Sequence, residues 1–265
     1  MADGRSMRLS VIVPWCDRPV LADTLARNAE FLNEPGIETL IVNGGGDAAE
    51  LERITSKSGW PGLQTLHSPR VTFNKPSCLN LGAARARAPY LFVLDADVIL
   101  TRGFLPRALQ TVSSVPPCFA SVATVLESEP GLSPRRWNPD SAITRKVFST
   151  RLTASSGKTA TVEYRWTRDG TRTGPGLVAV ARKDFIAVQG FNSALTDWGF
   201  EDYDFQIRLQ LLLGLKRRSF GKALHLSHEG APRRGEDSRN EQVCFRNYEQ
   251  GKFLGTFDSD VARGT

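Results

Sequence analysis

Through its first hundred residues the chain alternates apolar runs of strand length with stretches of helical length, and this alternation constrains the fold more than any other feature. Leu9-Ser10-Val11-Ile12-Val13-Pro14 reads as a strand, followed by a helix from about Pro19 to Phe31. Thr39-Leu40-Ile41-Val42 reads as a second strand that runs into Asn43-Gly44-Gly45-Gly46-Asp47. A helix from about Ala48 to Ser58, a short strand near Leu63 to Leu66 and a helix from Pro76 to Arg87 lead to a fourth strand, Tyr90-Leu91-Phe92-Val93-Leu94. The pattern predicts right-handed βαβ units and a mainly parallel, Rossmann-like α/β sheet flanked by helices. Such sheets bind ligands at the carboxyl ends of their strands, where Asp17, Asn43, Asp47 and Asp95 fall.

From about Thr101 the pattern changes. A helix near Phe104 to Ser113 and a strand near Phe119 to Val125 precede a polar stretch, 127–174, with isolated Trp137, Tyr164 and Trp166. That stretch reads as a mobile loop or a lid with short elements. Gly176 to Val180 reads as a strand, Lys183 to Val188 as a helix, and a helix opens at Glu201 and runs through Leu213. Lys216 to Leu226 reads as one or two strands, and a helix near Ser238 to Gln250 precedes a frayed tail.

The 265 residues suffice for one domain, 1–265, with a ligand-binding half over about 8–100 and a catalytic half over about 101–250. No apolar run approaches the length of a membrane span, and no apolar leader follows Met1, so the expected location is cytoplasmic. Four scattered cysteines, Cys16, Cys78, Cys118 and Cys244, without CxxC spacing fit reduced thiols and no zinc site. A net charge of +6 points to an anionic ligand or an anionic surface such as a membrane face. Nucleic acid is not an expected partner, because no aromatic-basic stripe is present.

Two acidic clusters carry the chemistry. Asp95-Ala96-Asp97 ends the fourth strand, and Trp198-Gly199-Phe200-Glu201-Asp202-Tyr203-Asp204 opens a helix after an aromatic-glycine turn. Taken alone, Asp95 to Asp97 fits a capped strand-end turn as well as a metal site. Together the clusters suit a metal-dependent group-transfer enzyme, one cluster holding metal and leaving group while the other activates the acceptor. Asp204, four residues after Phe200 and three before Ile207, falls on the face to be buried and is expected to pair with Arg208. Asp202 is offset from it by about 160° around the helix and can face a cleft. His225 and His228 are two of only three histidines, and in an extended strand both reach one ion only if the chain turns at Leu226-Ser227. His228 is the preferred ligand, with His225 held as a second. Gly44-Gly45-Gly46 lacks the spacing of a dinucleotide or phosphate-binding loop and reads as a turn.

These segments, in order, resemble the GT-A-fold glycosyltransferases. Asp95-Ala96-Asp97 is similar to the Asp-X-Asp motif of that fold, family 2 especially. Phe73-Asn74-Lys75 with Leu79-Asn80-Leu81-Gly82, Gly174 to Val180, Gly190-Phe191-Asn192, Trp198 to Asp204 and His225-Leu226-Ser227-His228 resemble successive motifs of the β1,4-galactosyltransferases. The resemblance implies a GT-A fold with a C-terminal acceptor-binding part. The activity it implies is metal-dependent, inverting transfer of a hexose or N-acetylhexosamine from a UDP-sugar to a saccharide or other hydroxyl-bearing acceptor. Asp97, His228 and His225 would ligate Mn²⁺ (or Mg²⁺). Asp202 would be the base, Glu201 would bind the acceptor hydroxyl, and Trp198 would lie under the sugar. Pro14, Arg18, Asn43 and Asp95 would contact the nucleotide, with Phe73 and Lys75 against the uracil.

Three departures bear on the acceptor: Cys16 stands at an arginine position, Phe200 at a glycine and Tyr203 at an acceptor-binding aspartate. Thr173 stands where a bulky tyrosine is usual, leaving room for an N-acetylated donor sugar. Alternatives are a family 2 polymer or capsule glycosyltransferase with another donor, a sugar-nucleotide nucleotidyltransferase, and a catalytically inactive sugar-binding homologue.

Overall fold

A computed structural model describes residues 7–70, 72–114, 117–132, 138, 140–228 and 239–264. The expected alternation is present: β1 (Leu9–Trp15), α1 (Leu21–Leu32), β2 (Ile37–Asn43), α2 (Ala48–Thr55), β3 (Leu63–His67), α3 (Lys75–Arg85) and β4 (Tyr90–Val93). These four strands lie parallel in the order β3-β2-β1-β4. Every residue of β1 and β2 is buried, because helices cover both faces of a parallel sheet. α3 lies directly on β1, and a Cβ at Gly82 would stand 2.4 Å from Ile12. At its start the Asn74 side chain caps Ser77 N–H at 2.9 Å and donates to Ser193 O at 3.1 Å, which fixes the place of Lys75.

The second half adds β5 (Val98–Leu100), α4 (Phe104–Ser114), β6 (Cys118–Glu127), β7 (Arg145–Thr153), β8 (Thr159–Thr167), β9 (Arg172–Ala181), α5 (Arg182–Ala187), α6 (Glu201–Leu213), β10 (Lys216–His225), α7 (Arg239–Glu249) and α8 (Phe257–Gly264). The sheet continues β4-β9-β6-β10-β5. Its pairings are parallel except where β9 joins β4 and β6 and where β5 joins β10. No helix among the described residues is long and apolar enough to cross a membrane.

Two expectations need correction. The stretch 127–174 is not an irregular loop in its described part: β7 and β8 form a hairpin, and Trp166 reaches β9 opposite Arg172. Most of β7 is exposed on both faces, so its sequence shows no two-residue period. Only Ala160, Val162 and Tyr164 of β8 turn inward, onto Ile207 and Leu211 of α6. Trp137 lies outside the described residues. The tail is not frayed either. α8 buries Phe257 and Asp260, whose carboxylate accepts from Asn80 Nδ2 at 2.8 Å, Ser193 Oγ at 2.8 Å and Arg70 Nη2 at 3.1 Å. A polar segment held by a buried network carries no apolar signature in sequence.

α6 is anchored as its spacing predicted. Asp204 is buried and pairs with Arg208, Nε at 2.9 Å and Nη2 at 2.8 Å from Oδ2, while Tyr248 of α7 donates to Oδ1 at 2.7 Å. Arg208 Nη1 donates to Val188 O at 2.8 Å and Gly190 O at 2.7 Å, so the guanidinium ties α6 to the segment after α5. Breaking a buried, hydrogen-bonded pair leaves an uncompensated charge and costs about 3–5 kcal/mol. Asp204→Asn is therefore expected to lower the melting temperature by that order. A melting curve indistinguishable from wild type would remove the anchoring role.

Candidate active site

Asp97 follows β4 at the carboxyl end of the parallel strands, and its carbonyl accepts from Leu226 N–H at 2.7 Å. β10 runs parallel to β6 with His225 in register with Glu127. Past His225 the chain turns: Ser227 N–H donates to Ser128 Oγ at 2.9 Å, and Ser227 Oγ to Glu127 Oε2 at 3.0 Å. The turn at Leu226-Ser227 that the sequence required for joint coordination is thus present. It brings Nε2 of His225 to 3.4 Å and Nε2 of His228 to 3.2 Å from Asp97 Oδ2. One ligand atom from each of Asp97, His225 and His228 lies within 4.8 Å of the others. One carboxylate and two imidazoles fit a divalent ion such as Mn²⁺.

The electrostatics are those of a cation site. Burial alone would raise the Asp97 carboxyl, but hydrogen bonds with both imidazoles hold it well below the usual carboxylate range. Burial would lower His225, but hydrogen bonds to Asp97 and Glu127 outweigh it and raise the imidazole to about 9. A divalent ion competes with those protons for the same lone pairs.

The second cluster opens α6. Gly199 (φ 87°) and Phe200 (φ 72°) both adopt left-handed backbone, which costs a non-glycine residue about 1–2 kcal/mol. The resemblance places glycine at Phe200, and the backbone explains why. Phe200 offsets the strain by burying its ring against Tyr164, Tyr203 and Phe245, at centroid distances of 6.4, 6.1 and 5.9 Å. Between the two clusters sits Lys75, its Nζ 2.9 Å from Asp95 Oδ1 and 3.2 Å from Asp202 Oδ1. Gly176 permits this approach, since a Cβ there would stand 2.6 Å from Asp202 Oδ2 and 3.0 Å from Lys75 Nζ.

Burial raises the Asp202 carboxyl above its ordinary value against the pull of Lys75. Burial, and then the charge of Asp202, push Glu201 up to about 7. Glu201 Oε2 is buried with no hydrogen-bond partner among the described residues, as expected of a group that meets a ligand.

Both clusters open on one cavity of about 570 Å³. Pro14, Arg18, Phe73, Lys75, Asp95, Asp97, Trp198, Glu201, Asp202, His225 and His228 all line it, and Phe73 and Trp198 are half exposed. Asn43 does not line it: its amide is spent on the glycine turn, Oδ1 accepting from Gly46 N–H at 2.7 Å and Nδ2 donating to Gly46 O at 2.8 Å. The Lys75 ammonium is engaged by carboxylates, whereas it was expected against a base. Tyr203, at the position expected to bind acceptor, stacks on Tyr164 at 4.1 Å and shares a 3.0 Å hydrogen bond with Thr173 Oγ1. Sequence reasoning passed over Glu127, whose side chain is fully buried beside His225 and Arg172. The signal that found Asp95, an acid ending an apolar run, was present there too.

Glu201 gives a pH test. Its folded value of about 7 exceeds the ordinary 4.5, so between these the folded state holds more protons than the unfolded state. Stability from this group therefore falls as pH rises through that window. Glu201→Gln should remove the slope and melt higher than wild type at pH 8, relative to pH 4.5, in parallel thermal scans without metal. Curves for the two proteins that stay parallel across the window would show Glu201 to be unperturbed.

A family profile described as glycosyl transferase family 2 matches residues 10–168, and one described as the N-terminal domain of galactosyltransferase matches 157–229. No curated protein sequence matches the chain. Among solved structures it resembles GalNAc-T7 with UDP, GalNAc and Mn²⁺ at 14% identity and TM-score 0.59, over 92% of this chain and 48% of that one. It also resembles the mannosyltransferase PcManGT from Pyrobaculum calidifontis with GDP-Man and Mn²⁺ (13%, TM-score 0.54, 98% and 70% covered). A third likeness is to S. aureus TarS 1–349 (12%, TM-score 0.58, 97% and 70% covered). The chain thus spans about half the length of the GalNAc-T7 chain, and at these identities the likeness is one of fold. With a family 2 profile covering well over half its residues and a sheet that matches GT-A structures, the chain belongs to glycosyl transferase family 2 and has the GT-A fold.

Proposed function

We propose that the chain is a metal-dependent, inverting glycosyltransferase that moves a hexose or N-acetylhexosamine from a UDP-sugar to an acceptor hydroxyl. One observation carries the reading: the Asp97–His225–His228 cluster and the Glu201–Asp202 pair open on the same cavity, with Lys75 between Asp95 and Asp202. A divalent ion held by Asp97, His225 and His228 would supply neutralisation of the charge that develops on a leaving diphosphate. Complexes with Mn²⁺ and a nucleotide or nucleotide sugar in GalNAc-T7 and PcManGT support this choice of ion and donor class.

The remaining steps belong to the chain's own side chains. Asp202 takes the proton of the acceptor hydroxyl at a carboxylate oxygen, and its raised affinity for protons makes it a better base than an exposed aspartate. Lys75 keeps that carboxylate oriented and ionised beside Asp95. Glu201, with an unpartnered buried oxygen, binds the acceptor, and Trp198 at the rim offers a flat apolar face to a sugar ring. Phe73, half exposed on the same cavity, offers its ring to the uracil. Thr173, small and tied to Tyr203, leaves room for an N-acetyl group on the donor. A nucleotidyltransferase would need a glycine-rich, basic loop directly after β1, where the chain has Cys16-Asp17-Arg18-Pro19.

Calorimetry with UDP tests the reading. Binding should tighten markedly with Mn²⁺ in wild type, and Asp97→Ala should abolish the enhancement; metal-independent binding, unaltered by the substitution, would sink the metal assignment. Asp202→Asn should leave the UDP–Mn²⁺ complex and the melting temperature nearly intact while lowering turnover on the order of 10²–10⁴-fold. Near-normal transfer by that variant would move the base to Glu201.

A further inference from the structure

The two imidazoles beside Asp97 are not equivalent, and their second nitrogens show why. Nδ1 of His225 lies 2.6 Å from Glu127 Oε2, a carboxylate with a fully buried side chain. The other Glu127 oxygen accepts from Arg172 Nε at 3.0 Å, and Oε2 also accepts from Ser227 Oγ at 3.0 Å. A carboxylate so engaged can only accept, so the proton of this contact sits on His225 Nδ1 and the Nε2 lone pair is directed at Asp97. Nδ1 of His228 instead lies 3.2 Å from Arg18 Nη1. A guanidinium only donates, so this contact puts the His228 proton on Nε2, the nitrogen nearest Asp97, which is the wrong tautomer for a ligand.

We propose that Glu127 is a positioning residue of the metal centre: through Nδ1 of His225 it makes His225, rather than His228, the preorganised imidazole ligand. His228 joins the ion only when Arg18 turns away from it. Carboxylate–histidine–metal relays fix both ring orientation and tautomer, and loss of such an outer carboxylate weakens metal binding by about 10–100-fold. Glutamine cannot replace it, because its one oxygen cannot accept from both the His225 ring and Arg172 while its NH₂ group opposes one of those donors.

The inference rests on the proposed metal site, so the experiment separates the two. Mn²⁺ affinity, read by paramagnetic resonance as the decline of the free-ion signal in the presence of UDP, is measured for six proteins. These are wild type and the variants Asp97→Ala, His225→Ala, His228→Ala, Glu127→Gln and Glu127→Gln/His225→Ala. Loss of binding in Asp97→Ala establishes the site; absence of Mn²⁺ binding in wild type overturns both the site and this inference. With the site established, Glu127→Gln should weaken Mn²⁺ by about 10–100-fold, and His225→Ala should weaken it more than His228→Ala. The double variant should bind no more weakly than His225→Ala, because Glu127 acts through that ring. Unchanged affinity in Glu127→Gln, or additive losses in the double variant, overturns the inference. Should the glutamine variant fail to fold, Glu127→Asp keeps the buried charge and withdraws the acceptor from Nδ1, and the same outcomes decide.

Discussion

The site depends on one buried ammonium. Asp95, Asp202 and Glu201 converge where burial favours their neutral forms, and without a cation their mutual repulsion would open the structure. Lys75 supplies that cation, and its surroundings hold its proton more firmly than usual: burial works against the charge, but Asp202 and Asp95 outweigh it. Its position follows from local chemistry, the Asn74 cap at the start of α3 and the bond from Asn74 to Ser193. The carboxyl end of β4 and the amino end of α6 are thereby held to one point. The donor half and the acceptor half of the proposed reaction meet there.

The rest of the fold serves to bring α6 to that point. Phe200 accepts left-handed backbone so that the helix can start at Glu201, and aromatic packing around its ring compensates. One turn further on, the Asp204–Arg208–Tyr248 network fixes the helix from its buried side. Adjacent acids of one helix thus do unlike jobs: Asp202 faces the cavity and Asp204 the interior. On the metal side, the end of β6 is stapled to the turn after β10 by Ser128 and Ser227, and that staple sets the reach of both histidines.

Much of this was legible in the chain. The periodicity of the first hundred residues led to the parallel sheet, and helical spacing separated Asp202 from Asp204. What escaped was long-range. Nothing local in Lys75 says that its ammonium meets Asp202, because sheet topology brings the two together. The β7–β8 hairpin was invisible because most of β7 contacts solvent on both faces, and α8 because its burial is polar. Asn43 stood at a strand end like Asp95, yet its amide serves the turn that follows it, and alternation alone cannot tell a ligand-facing side chain from a turn-bracing one.

The central claim is that the carboxylates around Lys75 and the cluster around Asp97 work on one anomeric carbon in a single displacement. The most direct test is the anomeric configuration of the sugar first released from an α-linked UDP-sugar, followed by proton NMR before the free sugar equilibrates. A β-configured first product is the result predicted, with attack opposite the diphosphate. An α-configured first product would mean retention, and would contradict the assignment of Asp202 as the base of a one-step transfer.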